Sequence, residues 1–302
     1  QSGGSTSVAE TGTTDTFTVV LTAQPASNVV LTVTSSDTGE VTVNSPLTFT
    51  PANWNSAQTV TVTGVDDNLV DGTITSTITI AVNDANSEDG FDGLADQTVS
   101  ATTTDNDVAG FTVAQSGGST SVAETGTTDT FTIVLNAQPT TDVVMSIASS
   151  DAGESTTTNT LTFTNANWNS AQTVTVTGVD DNIIDGTITS TITISIIDAN
   201  SDNTFDAVAD QTVSATTTDN DVAGFTIAQT DGSTSVSETG TTDTFTIVLN
   251  AQPASDVVLT ITSSDTGEAT VNSPLTFTNA NWNTPQTVTV TGVDDNIIDG
   301  TI

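Results

Sequence analysis

The chain has 302 residues and carries 37 Asp and Glu with no Lys, Arg or His, a formal charge of −37 at pH 7. Binding nucleic acid or anionic lipid takes cationic side chains, so both are excluded as partners and dissolved cations are favoured. Without Cys, His or Lys there can be no disulfide, thiolate or imidazole metal ligand, Ser-His or Cys-His nucleophile, or Ser-Lys dyad, and no enzymatic role is expected.

Nearly the same text occurs three times. Gln1-Ser-Gly-Gly-Ser-Thr-Ser-Val-Ala-Glu10 returns at Gln115 and, altered, at Gln229, an interval of 114 residues each time (115 − 1 and 229 − 115). A period that long makes each repeat a whole domain. The expected bounds are 1–108, 109–222 and 223–302, with the first repeat lacking half of its opening strand and the third truncated before its last strands. No apolar run approaches the length of a membrane span. The chain opens without a signal peptide and stops within a repeat, so it reads as a segment of a longer, extracellular protein.

Within a repeat, apolar residues alternate with Thr in runs bounded by Gly, Pro, Asn and Asp, which predicts half-buried antiparallel strands. The first run covers 111–122 in the second copy and is broken at Gly117-Gly118, where a bulge or kink is expected. The others, numbered in the first copy, are 16–21, 29–34, 47–50, 58–63, 76–82 and 97–104. Seven short strands in such a repeat predict an all-β fold of tandem immunoglobulin-like sandwiches. Phe17, Val19, Leu21, Leu47, Phe49, Val60, Val62, Ile78 and Ile80 would face inward, with Thr outward. Trp54, Trp168 and Trp282, each in Asn-Trp-Asn, would plug an open end of a sandwich.

The carboxylates fall in loops. Up-and-down alternation of the strands gathers Glu10, Asp15, Asp37, Glu40, Asp66, Asp67, Asp71, Asp105 and Asp107 at one pole. Asp15 reads as a turn residue ahead of the second run. The second copy supplies Glu124, Asp151, Glu154, Asp180, Asp181, Asp185, Asp219 and Asp221, and the third Glu238, Asp265, Glu268, Asp294, Asp295 and Asp299. Asp84, Glu88, Asp89, Asp92 and Asp96 lie in the long loop at the other pole, which in a tandem array is expected to abut the acidic pole of the preceding repeat. Two carboxylates about 5 Å apart repel by roughly 3 kcal/mol at an effective dielectric near 20. A few such pairs rival the ~5–15 kcal/mol that stabilises a domain, and the chain has no cation of its own to offset them. Hard oxygen ligands without His or Cys select Ca2+. Solvated acids of a salt-adapted surface account for the net charge but not for the clustering, because exposed strand positions hold Thr. The adjacent Asp66 and Asp67 do not suit a glycosidase pair, being neighbours in one loop and repeated in every copy.

Ser-Val-Ala-Glu-Thr-Gly-Thr-Thr-Asp-Thr-Phe-Thr, then Asn-Trp-Asn-Ser-Ala-Gln-Thr-Val-Thr-Val-Thr-Gly-Val-Asp-Asp, then the closing Asp-Asn-Asp, together resemble the Calx-β domain, which occurs in tandem in large bacterial surface proteins of adhesin or filament type. The resemblance implies a calcium-binding β-sandwich. Its ligands would be Glu10, Asp66, Asp67, Asp71, Asp105 and Asp107, then Glu124, Asp180, Asp181, Asp185, Asp219 and Asp221, then Glu238, Asp294, Asp295 and Asp299. Cadherin-like domains are the alternative fold, with the same logic of ions at junctions. The expected function is an extracellular stalk or filament component stiffened by calcium and packed against copies of itself. The alternative is an adhesin module that recognises a surface glycan or receptor through its loops.

Overall fold

The computed structural model describes residues 5–298 and Gly300. Repeat 1 contains β1 (Thr6–Ala9), β2 (Thr14–Val19), β3 (Val29–Ser35), β4 (Val41–Val43), β5 (Leu47–Phe49), β6 (Gln58–Gly64), β7 (Ile74–Val82) and β8 (Gln97–Thr104). They form two sheets, ordered β1-β8-β7-β3-β5 and β2-β6-β4. Repeat 2 contains β9 (Phe111–Gln115), β10 (Thr120–Ala123), β11 (Thr128–Leu135), β12 (Val143–Ser149), β13 (Ser155–Thr157), β14 (Thr160–Phe163), β15 (Gln172–Gly178), β16 (Ile188–Ile196) and β17 (Gln211–Thr218). Its sheets are β10-β17-β16-β12-β14 and β13-β15-β11-β9. In repeat 3, β18 (Phe225–Gln229), β19 (Thr242–Leu249), β21 (Ala269–Val271) and β23 (Gln286–Gly292) make one sheet, ordered β18-β19-β23-β21. The other consists of β20 (Val257–Leu259) and β22 (Leu275–Phe277). The fold is all-β, a tandem array of immunoglobulin-like sandwiches.

Every one of the seven expected runs forms strand, and two features are added. The opening run divides. Phe111 to Gln115 lies antiparallel on β11, pairing Phe111 with Leu135 and Gln115 with Phe131. Gly117 and Gly118 then turn the chain with φ of 69° and 84°, a region that costs glycine nothing. Beyond them β10 runs parallel to β17, from Thr120 opposite Ala215 to Ala123 opposite Thr218. One strand thus crosses from one sheet to the other. The second addition is the three-residue strand β4, with its counterparts β13 and β21, which edges the sheet of β6, β15 and β23.

The cores are where the alternation places them. Phe49, Val60, Val62 and Ile78 are fully buried in repeat 1, and Phe131, Ile133, Phe163, Val174 and Ile192 in repeat 2. Trp168 and Trp282 pack against the edges of their cores. Outward Thr face one another across strands, as at Thr16 and Thr61, Thr130 and Thr175, and Thr244 and Thr289, pairs that stabilise a sheet. Val19 and Leu21 depart from expectation in being only half-buried, although their counterparts Ile133 and Leu135 are buried. The cause is strand β9, which covers the second repeat at that edge.

Candidate metal centre

Glu10 follows directly on β1, and its N–H donates to the Thr104 carbonyl at 3.1 Å, so the parallel pairing of β1 with β8 carries it to where β8 ends. Asp105 and Asp107 follow β8 immediately. Glu40 precedes β4, held by its carbonyl, which accepts from the Val65 N–H at 2.9 Å. These three strand ends bring carboxylates from distant sequence to one spot. Ligand oxygens of Glu10, Asp105 and Asp107 lie within 4.8 Å of one another, and so do those of Glu10, Glu40 and Asp71. The second repeat reproduces both groups with Glu124, Asp219 and Asp221, and with Glu124, Glu154 and Asp185. Glu10 and Glu124 belong to both groups of their repeats and are 1% exposed.

Backbone donors shape the cluster. Asp105 accepts from the N–H groups of Asp71 (3.1 Å) and Gly72 (2.8 Å) through one oxygen and from Asp107 (2.6 Å) through the other. Asp219 does the same for Asp185, Gly186 and Asp221, and these bonds hold its carboxyl below the usual range. Glu10 takes the Asn106 N–H at 3.2 Å on Oε2. Its Oε1 is buried with no partner, as are Glu40 Oε2, Asp71 Oδ1, Asp107 Oδ2, Glu154 Oε2 and Asp221 Oδ2. Burial, and then the neighbouring charges of Asp105, Asp67 and Glu40, push the Glu10 carboxyl up to about 7 against the bond from Asn106. Burial with the charges of Asp185 and Glu124 pushes Glu154 to about 6. Glu40, Asp71, Asp107, Glu124 and Asp221 are also raised, each chiefly by desolvation. A buried oxygen with no donor costs free energy unless something positive reaches it. This set of carboxylates, with no amide or ammonium aimed at the orphaned oxygens, fits a hard divalent cation.

The remaining sequence candidates divide. Asp67 and Asp181 spend one oxygen on the N–H of Leu69 (2.7 Å) and Ile183 (2.6 Å), closing tight turns beside the cluster. Asp37, Asp151 and Asp265 close similar turns onto Gly39, Gly153 and Gly267. Asp37 still raises Glu40 by its charge, and Asp66 raises Asp107. Asp180 accepts from the Asn220 side chain at 2.8 Å. In repeat 3, Asp295 caps the N–H of Ile297 and the Glu268 carbonyl takes the Val293 N–H. Glu238 is half-buried, Asp294 is exposed, and Asp299 lies outside the described residues. Among the described residues of repeat 3, no three carboxylates converge. Asp15 locks strands, accepting from Ser7 and Thr16 N–H.

One residue the sequence reading passed over is Gly64. A Cβ there would sit 2.1 Å from the Ala9 carbonyl, one residue before Glu10, and Gly178 and Gly292 meet the same contact at 2.0 and 2.1 Å from Ala123 and Ser237. Its signal was the Gly recurring in Val-Thr-Gly-Val-Asp-Asp of each copy.

A backbone contact joins the repeats. Residues 105–110 link β8 to β9, so Asp105 and Asp107 are themselves part of the connection. The turn after Asp67 then touches repeat 2: the Asn68 carbonyl accepts from the Gln138 N–H at 2.7 Å, and Asn182 repeats this with Gln252 at 2.7 Å. Ala137 and Ala251, beside those glutamines, are buried, while Ala23 in repeat 1 is exposed. Among the described residues the backbone hydrogen bond that joins neighbouring repeats comes from the loop after β11. In the long acidic loop of repeat 2, Asp202 turns inward while Asp198, Asp206 and Asp210 are exposed. Asp202 is buried, which alone would raise its carboxyl, but the Thr140 hydroxyl and the N–H groups of Thr141 and Thr204 outweigh this and hold it low. Glu88 ties down Ala26 and Ser27 in the same way.

No family model and no curated protein matches the chain. Similar solved structures include the calcium binding domain CBD12 of CALX1.1, at 14% identity over 64% of this chain and 78% of that one, with a TM-score of 0.28. CBD12 from CALX1.2 matches at 10% identity over 71% of this chain and 97% of that one, TM-score 0.29. Domains 4 and 5 of the S-layer protein SbsC match at 17% identity over 62% and 70%, TM-score 0.29.

Proposed function

We infer that the chain is an extracellular structural segment: a stalk or filament part made of modules bounded near 1–108, 109–222 and 223–302, in which Ca2+ fixes the angle between neighbours and copies pack into fibres. The observation that carries this reading is the place of the cluster. Glu10, buried and short of a partner, faces Asp105 and Asp107 of the connection itself. Asp67 and Asp71 bracket the turn whose Asn68 carbonyl holds the next repeat.

A cation held by Glu10, Glu40, Asp71, Asp105 and Asp107, or by Glu124, Glu154, Asp185, Asp219 and Asp221, would neutralise their repulsion and tie the connection to the sandwich it leaves. Millimolar calcium outside cells suffices to fill even extracellular sites with Kd of roughly 10⁻⁴–10⁻³ M. The chain's residues then act as scaffold and ligand, with no chemistry to perform.

The test is small-angle scattering and calorimetry in calcium, in magnesium and in excess chelator. Calcium should raise the melting temperature and lengthen the mean end-to-end dimension, with magnesium weaker. A melting curve and scattering profile indifferent to chelator would refute the reading.

A further inference from the structure

In repeat 2 one carboxylate of the cluster comes from the opposite sheet. Glu124, Asp185, Asp219 and Asp221 sit at or near the ends of β10, β16 and β17, which share a sheet, whereas Glu154 immediately precedes β13 of the other. An oxygen of Glu154 meets those of Glu124 and Asp185 only if the two sheets keep a fixed separation at this pole. Packed sheets stand about 10 Å apart, too far for a short side chain to bridge. Here they converge. Gly178 on β15 lies so close to Ala123 on β10 that a Cβ would sit 2.0 Å from the Ala123 carbonyl.

Thr217 spans the gap. It follows Val213 and Ala215 on the inward face of β17, is fully buried, and its hydroxyl donates to the Glu154 carbonyl at 3.2 Å. The same carbonyl accepts the Val179 N–H at 2.9 Å from its own sheet, so the backbone of Glu154 is held from both sides. Thr103 and Glu40 repeat the arrangement in repeat 1, with the hydroxyl at 3.5 Å and the Val65 N–H at 2.9 Å. Packing alone would favour Val at such a position, because a hydroxyl taken out of water costs free energy unless it is bonded. The bond that Thr217 makes goes to the backbone of a cluster residue, and the strand that carries Thr217 runs directly into Asp219. One strand thus supplies one carboxylate and steadies another across the sandwich.

We propose that Thr217, and Thr103 in repeat 1, are positioning residues for the cation sites: each hydroxyl fixes, across the two sheets, the glutamate that completes the second group of carboxylates. The proposal rests on the reading of the cluster as a calcium centre. The test is calcium titration calorimetry of the 302-residue chain, with melting in chelator measured beside it. Thr217→Val keeps the shape of the side chain and removes the hydroxyl. It should weaken calcium binding in repeat 2 on the order of tenfold, as loss of a group that orients a metal ligand does, and leave repeat 1 unchanged, while melting in chelator moves little. Thr217→Ser keeps the hydroxyl and loses a buried methyl, so it should melt lower in chelator yet bind calcium as wild type does. Thr103→Val makes the same comparison in repeat 1. Wild-type affinity in both valine variants overturns the proposal and spares the calcium reading. So does an equal loss in Thr217→Val and Thr217→Ser, which would assign the effect to packing. A wild-type chain that takes up no calcium overturns both.

Discussion

Replacing Glu124 by Gln separates the cost of the acidic cluster from its use. Glu124 is 1% exposed and shares space with Asp219 and Asp221 on one side and Glu154 and Asp185 on the other, all within 4.8 Å groupings. At that separation a pair of charges repels by about 3–4 kcal/mol at an effective dielectric near 20. Screening and the raised carboxyl of Glu124 reduce what its removal returns to roughly 1–2 kcal/mol. The metal-free variant should thus melt higher than wild type, by roughly 3–10 °C for a domain of this size. Calcium reverses the order. A site filled to a hundred times its Kd adds ~2.7 kcal/mol to wild type, while the variant, missing the ligand common to both groups, should gain less than about 1 kcal/mol. Calorimetry at pH 8, with chelator and with calcium, reads both halves. A variant that is less stable than wild type in chelator, or that keeps the full calcium shift, would rule out Glu124 as a shared, mutually repelling ligand.

Acidity should act in the same sense as the substitution. The folded-state carboxyls of Glu10 and Glu154, at about 7 and about 6, stand above their ordinary 4.5. Their contribution to stability is complete below about 4.5 and is lost as pH rises through 6 to 7, so in chelator the melting temperature should fall between pH 5 and pH 8. Calcium competes with those protons, and calorimetric titrations should show weaker binding at pH 5.5 than at pH 7.5. Gly178→Ala sets a Cβ 2.0 Å from the Ala123 carbonyl, so the backbone ahead of Glu124 must move. It should cost repeat 2 about 2 kcal/mol or more and weaken its calcium binding, measurable by chemical denaturation with and without the ion. Ala137→Glu places a long acid into the buried contact beside Gln138. Scattering should show a more flexible array while the melting of individual repeats shifts by less than about 1 kcal/mol; an unchanged scattering profile would argue against the docking role of that loop.

Much of the sandwich was legible because burial in it has a period of two. Phe49, Val60, Val62 and Ile78 are buried where alternation with Thr places them. The sequence reading missed what depends on partners far along the chain. The switch of the opening strand needs β17 as a parallel neighbour some 95 residues on, and only the glycine pair hinted at it. Loop position points to Glu10, Glu40, Asp71, Asp105 and Asp107, the family resemblance to all of these but Glu40, and the structure draws them together. It could not be read from loops that Asp67 and Asp37 would spend an oxygen on their own turns, since Asx turns are set by local backbone geometry. Nor could the junction be read from charge, because it is made by an uncharged Asn carbonyl and a Gln N–H.

The parallel pairing of β10 with β17 has a mechanical consequence. The chain enters repeat 2 through the strand leading to β10 and leaves it from the end of β17, and these two strands are neighbours running the same way. Tension along the array therefore pulls them past each other in shear. The rungs from Thr120 to Ala123, with the Glu124 N–H on the Thr218 carbonyl, share the load at once and are not peeled one by one. Glu124 and Asp219 stand at the tips of the two strands that would have to slide, so an ion between them would act as a rivet on the element that bears the force.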